Sequence, residues 1–142
     1  QKNIYYQVNA TYYSALGESD SKMLLARAIQ MFMPGKPQVW YLDLFAGKND
    51  HEAVRRAGES GHKEINRTNL SASDIREALK KDVVMKQLEL LRMRNTHKAF
   101  EKGAVITVAG EGSKLSIRYD NDGAYALLTV DFEAGAYEIE LS

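Results

Sequence analysis

After Gly103 the spacing of the apolar residues changes from about 3.6 to 2, and this change constrains the chain more than any other feature. Leu115, Ile117 and Tyr119 alternate with Ser116 and Arg118. Ala126, Leu128, Val130 and Phe132 alternate with Thr129 and Asp131, and Tyr137, Ile139 and Leu141 with Glu138 and Glu140. Gly110-Glu111-Gly112, Asp122-Gly123 and Gly135 supply turns between these runs. The pattern predicts a four-stranded antiparallel meander with one wet face.

Before Gly103 the period is helical. Asp20 or Ser21 can cap a helix over residues 20–33, with Leu25, Ala28, Ile29 and Phe32 on one buried stripe. Pro34-Gly35 and Pro37 end it, and Val39-Trp40-Tyr41-Leu42 follows, apolar throughout. Such a run suits a strand covered on both faces, so residues 38–42 are predicted as a parallel strand. A helix, a short turn and a buried strand are half of a β/α repeat. The chain offers no parallel neighbours for that strand, so its partners must lie elsewhere. Alone, it would expose an apolar edge and favour aggregation. Residues 43–70 read as a long charged loop punctuated by Gly47, Gly58 and Gly61. Ser71 and Asp74 form a capping-box-like start to a helix ending near Lys80. Another helix begins at Asp82, with Val84, Leu88 and Leu91 on one stripe.

Composition narrows the function classes. Nineteen Lys+Arg balance 19 Asp+Glu, which excludes a strong electrostatic footprint for nucleic acid or an anionic membrane. The balance is uneven along the chain: four cations and three anions over residues 1–47, 13 and nine over 48–103, two and seven over 104–142. The absence of cysteine removes disulfides and thiolate chemistry and fits a reducing compartment. The longest apolar stretch, around Met23–Met33, is interrupted by Arg27 and Gln30. The chain starts at Gln1 with no signal-peptide pattern, and reads as part of something longer.

Candidate chemistry is sparse. His51, His62 and His97 lack metal-ligand spacing, and no phosphate-cradling glycine motif occurs. Chance accounts for the N-x-[ST] triplets at Asn9, Asn66 and Asn69. Asp43 would end the predicted strand, where barrel enzymes place catalytic groups. The plainer reading, which we favour, is a loop-capping aspartate. Asp50, Lys63, Glu64 and Arg67 offer both charges to a sugar or phosphate, or form a solvated ion-paired loop. Tyr5, Tyr6, Tyr12 and Tyr13 could stack on a sugar or belong to a core.

Longer motifs add a family. Tyr6-Gln7-Val8-Asn9, Thr11-Tyr12-Tyr13-Ser14-Ala15-Leu16-Gly17, Ala26-Arg27-Ala28-Ile29-Gln30, Pro34-Gly35 and Pro37-Gln38-Val39 resemble one stretch of the sucrose phosphorylase group of glycoside hydrolase family 13. The resemblance continues through Ala46-Gly47-Lys48-Asn49-Asp50, Ile65-Asn66-Arg67 and Arg94-Asn95-Thr96-His97, and covers residues 3–100 without a large gap. It implies an α/β plus β fold, the C-terminal end of a (β/α)8 TIM barrel followed by a small antiparallel all-β domain. Residues 1–102 would be the barrel portion and residues 103–142 the β domain.

The same resemblance implies a retaining α-glucoside phosphorylase that releases α-glucose 1-phosphate. Its nucleophile, acid/base and stabilising aspartate would all lie upstream of Gln1, leaving this chain no catalytic residue and no metal site. The implied substrate-binding residues are Tyr6, Gln7, Lys63 and Arg67. Tyr6 and Gln7 match an active-site loop on the acceptor and phosphate side. Lys63 matches an arginine that helps bind the donor glucose, and lysine offers a point charge in place of a planar fork. Thr68 replaces a histidine, and Asp43 stands where the family often has glycine. The implied partners are sucrose or a related α-glucoside, including one with a phosphorylated or other charged acceptor, and the missing N-terminal barrel portion. No cofactor is implied beyond inorganic phosphate as co-substrate, and the location would be cytoplasmic. The rivals are a hydrolase or transglucosidase of the same family, and a non-catalytic sugar-binding or structural fragment.

Overall fold

Helices α1 (Tyr12–Ala15), α2 (Asp20–Phe32), α3 (Tyr41–Leu44), α4 (His51–Ala57), α5 (Ala72–Ala78) and α6 (Asp82–Thr96) precede strands β1 (Val105–Glu111), β2 (Lys114–Asn121), β3 (Ala124–Asp131) and β4 (Ala136–Leu141). These elements come from a computed structural model in which residues 8–142 are described. Two 3-10 segments, Gly58–Asn66 and Lys98–Phe100, complete the order.

The sheet is the predicted meander, order β1-β2-β3-β4, antiparallel throughout. Val108 faces Ile117, Ile117 faces Leu128, and Leu128 faces Ile139, so one apolar row crosses all four strands. Ile117, Tyr119, Ala126, Leu128 and Val130 are buried, as the alternation requires. Only the central part of that face is covered. Helix α2 packs on β3 and β4, and Lys98–Phe100 packs on β2 and β3. Strand β1 lies beyond this cover, so Ile106 and Val108 stay exposed although they share a face with the core.

Helix and sheet share a single core. Leu25, Ala28, Met31 and Phe32 of α2 and Leu90 of α6 join Ala99 and the five buried sheet residues in one cluster. A second cluster holds Met23, Ala46, Ala78, Val83 and Val84. Ser19, one residue before the two predicted caps, caps α2 by accepting the Lys22 N–H. Ser71 and Asp74 form the reciprocal capping box predicted for α5. In α6 the buried face is Val83, Val84, Gln87 and Leu90, rotated from the expected stripe, with Leu88 half-buried against the second cluster.

Two expectations fail. Residues 38–42 form no strand: Trp40 is extended without a ladder, and Tyr41 starts the helical turn α3. A strand exists only through hydrogen bonds to a neighbour, and none of the described strands runs beside this segment. Nor is 43–70 a structureless loop. Asp50 caps α4 by accepting the Ala53 N–H at 2.8 Å, and the 3-10 segment runs on from it. Gly61 lets that segment close on α4, since a Cβ there would meet the Ala57 Cβ at 2.5 Å and the Val54 carbonyl at 2.8 Å.

Candidate functional site

Tyr6 and Gln7 lie outside the described residues. The chain that follows them is held closely. The Asn66 side-chain amide donates to the Ala10 carbonyl at 3.2 Å. The Thr11 N–H donates to Asn49 Oδ1 and the Tyr12 N–H to Asp43 Oδ1, each at 2.8 Å. The Asn49 N–H in turn donates to Ser14 Oγ at 3.0 Å. Two stretches distant in sequence, residues 43–49 and Asn66, thus meet on residues 10–14. The first amides of a helix have no intrahelical acceptor, and in α1 these side chains supply two of the missing ones.

Lys63 lies in the Gly58–Asn66 segment, half-buried, and Arg67 follows that segment in an exposed position. Arg67 pairs with Glu64 at 3.2 Å, while among the described residues no carboxylate lies within ion-pair distance of Lys63. The Asp50 N–H donates to the Ile65 carbonyl at 2.8 Å. The structure therefore places the stretch carrying Lys63 and Arg67 beside the one that follows Gln7. Asp50 is used as a helix cap, and Glu64 as the partner of Arg67. Tyr13 donates to Asp20 Oδ1 at 2.8 Å, and burial adds to that bond in holding its phenol above the usual range.

Behind the contacts on residues 10–14 is a buried polar group that sequence reasoning largely missed. Arg27, 3% exposed, extends from α2. Its Nε donates to Gln87 Oε1 at 2.9 Å, and its Nη1 to Gln30. Gln87 donates to the Leu44 carbonyl at 3.1 Å. Arg27 Nη2 has no partner among the described residues, and a cavity of about 40 Å³ opens beside it, lined by Tyr12, Met23, Ala26 and Gln30. Asp43 is buried nearby, and burial raises its carboxyl above the ordinary range, opposed by the Tyr12 N–H and the Arg27 charge. The visible signal was an arginine interrupting an apolar helix, whereas Gln87 lies off the stripe predicted for α6. Asp43 itself behaves as a loop-capping aspartate, with its carboxylate on a backbone N–H.

No family model matches the chain. A sucrose 6F-phosphate phosphorylase of Ilumatobacter coccineus is 55% identical over 135 residues, 95% of this chain and 26% of that protein. A sucrose phosphorylase of Agrobacterium vitis is 40% identical over 96% of this chain and 28% of its own length. The crystal structure of a sucrose 6F-phosphate phosphorylase from Thermoanaerobacter thermosaccharolyticum matches with a TM-score of 0.87 and 40% identity, over 96% of this chain and 27% of that one. The chain thus spans about a quarter of the length of the relatives it matches. Sequence and backbone together assign it to the sucrose phosphorylases, as a homologue of their C-terminal region.

Proposed function

We propose that the protein carrying this chain is a retaining α-glucoside phosphorylase, and that it acts on sucrose 6F-phosphate. The observation that carries this reading is 55% identity to a sucrose 6F-phosphate phosphorylase over nearly the whole chain. Lys63 supports it. Its ammonium has no carboxylate partner among the described residues and suits a phosphate as a point charge, so this reading moves Lys63 from the glucose side, where the resemblance expects an arginine, to the acceptor phosphate.

In this reading residues 1–102 complete a (β/α)8 barrel of glycoside hydrolase family 13, and residues 103–142 form its β domain. The boundary is one of topology, because α2 and the sheet share a core. Retention requires two carboxyl groups about 5 Å apart. One attacks the anomeric carbon while the other protonates the departing fructosyl oxygen. A phosphate oxygen then displaces the enzyme carboxylate, giving its proton to the second carboxyl and forming α-glucose 1-phosphate. Both carboxyls come from the rest of the protein, as do the remaining barrel units. This chain contributes Tyr6 and Gln7 on the acceptor and phosphate side, with Lys63 and Arg67 approaching from the 3-10 segment. Inorganic phosphate is the co-substrate, no resident cofactor takes part, and we place the enzyme in the cytoplasm, in keeping with the lack of cysteine in this chain.

The test is glucose 1-phosphate release by the full-length protein from sucrose 6F-phosphate and from sucrose, in phosphate buffer. At least a tenfold higher kcat/KM on the phosphorylated sugar supports the reading. A preference for sucrose removes the phosphate assignment. Free glucose as the main product makes the protein a hydrolase, and no turnover of either sugar leaves a non-catalytic chain.

A further inference from the structure

We propose that Asn49, Asp43 and Asn66 are positioning residues that hold the backbone of residues 10–12, the anchor from which the chain leads back to the substrate-binding residues Tyr6 and Gln7. The inference rests on the phosphorylase reading for what Tyr6 and Gln7 bind, and on geometry for the rest.

The backbone groups held are consecutive: the carbonyl of Ala10, the N–H of Thr11 and the N–H of Tyr12. Each is taken by a different side chain at least 31 positions away in sequence, at 3.2, 2.8 and 2.8 Å. Helix α1 has only four residues and cannot fix its own orientation. Thr11 is 1% exposed, so its amide has little access to water if Asn49 is lost. Two of the clamping residues, Asn49 and Asn66, are linked through their neighbours, and Asn49 also holds the segment a second time. Asn49 donates its own N–H to Ser14, and the next residue, Asp50, donates to Ile65, the neighbour of Asn66. Fixing three successive backbone groups fixes the direction in which the chain enters residue 10. Gln7 is three residues upstream, at most about 10 Å of extended chain. A displacement of about 1 Å at a substrate contact can lower the rate about 100-fold. The side chains that aim the segment are thus separate from those that touch substrate.

The test uses the full-length protein with Asn49→Ala, Asn49→Asp and Asn66→Asp. Aspartate at 49 keeps an acceptor for the Thr11 N–H, whereas aspartate at 66 keeps the shape but loses the donor to Ala10. Hydrogen exchange is read on the peptide covering residues 8–14 and on α2, beside kcat and KM for phosphate. Asn49→Ala and Asn66→Asp are expected to speed exchange in 8–14 at least tenfold and to lower kcat/KM at least tenfold. Exchange in α2 should be unchanged, and Asn49→Asp should retain both properties. Unchanged exchange in 8–14, or a loss of activity matched by faster exchange throughout α2, overturns the proposal. The exchange readout needs no turnover. If the wild-type protein releases no glucose 1-phosphate, the phosphorylase reading falls, while exchange in 8–14 still decides whether the clamp exists.

Discussion

The Tyr119 hydroxyl donates to the Phe32 carbonyl at 3.1 Å, joining the second strand of the sheet to the last residue of α2 across 87 positions of sequence. That carbonyl is one of the helix-end acceptors with no intrahelical donor, and it is buried where water cannot replace the phenol. Around the bond, Phe32 meets Phe100 edge to face at 5.2 Å, and Arg94 lies over the Phe100 ring at 4.6 Å. Arg94 also donates to the Gly35 carbonyl at 2.8 Å, fixing the turn that leaves α2. The sheet is thus docked on the helices through polar as well as apolar contacts.

Tyr119→Phe keeps the ring and removes the donor. The buried Phe32 carbonyl is then unpaired, and stability falls by about 1–3 kcal/mol. Urea denaturation followed by far-UV circular dichroism measures this. Because helix and sheet share a core, loss of both signals should remain coincident. A separate transition for the sheet would contradict the single core.

The Asp43 carboxyl is raised by burial, so the folded protein keeps that proton to higher pH than the unfolded chain does. Stability from this group therefore falls as pH climbs from the unfolded carboxyl range through the raised value, and is constant above it. Asp43→Asn retains an oxygen for the Tyr12 N–H and has nothing to titrate. The difference in unfolding free energy should shift in favour of the variant as pH climbs above the ordinary carboxyl range, about pH 4. A difference independent of pH would show that burial does not disfavour the carboxylate.

Gly47 is required by a close approach, and its own N–H donates to the Leu42 carbonyl at 2.9 Å. A Cβ there would press into the buried Leu42 side chain and lie 3.0 Å from the Leu42 carbonyl oxygen. Gly47→Ala should cost about 1–3 kcal/mol through overpacking. Thermal melting reads it, and an unchanged melting temperature would mean that Leu42 moves aside freely.

Lys63→Ala removes the proposed counter-charge of the acceptor phosphate. A hydrogen bond to a charged group is worth about 1.5–3 kcal/mol, which corresponds to a loss of about tenfold to a hundredfold in kcat/KM on sucrose 6F-phosphate. Turnover of sucrose itself should change far less. Equal losses on both sugars would place Lys63 at the glucose instead.

How legible the molecule was depends on where its hydrogen bonds go. The meander could be read because alternation along Leu115–Tyr119 and Ala126–Val130 reports a local period with one covered face. The α5 capping box could be read because Ser71 and Asp74 act within one turn. The strand at 38–42 could not form as predicted, since a ladder needs a neighbour that pattern in one segment does not supply. Exposure of β1 was hidden for a related reason: alternation tells which residues share a face, not how far the helices extend over it. The clamp was the hardest part. Asn49 and Asn66 are ordinary loop residues until the fold carries Thr11 and Ala10 to them. Arg27 had a visible signal as a charge within an apolar stripe, but its partner Gln87 lies 60 residues away.

The most direct measurement is NMR of the first sugar phosphate formed when the full-length protein acts on sucrose 6F-phosphate in phosphate buffer. A retaining phosphorylase gives α-glucose 1-phosphate as the initial product, with fructose 6-phosphate appearing in equal amount. The β anomer as the first product would contradict retention, and free glucose without any sugar 1-phosphate would contradict phosphorolysis.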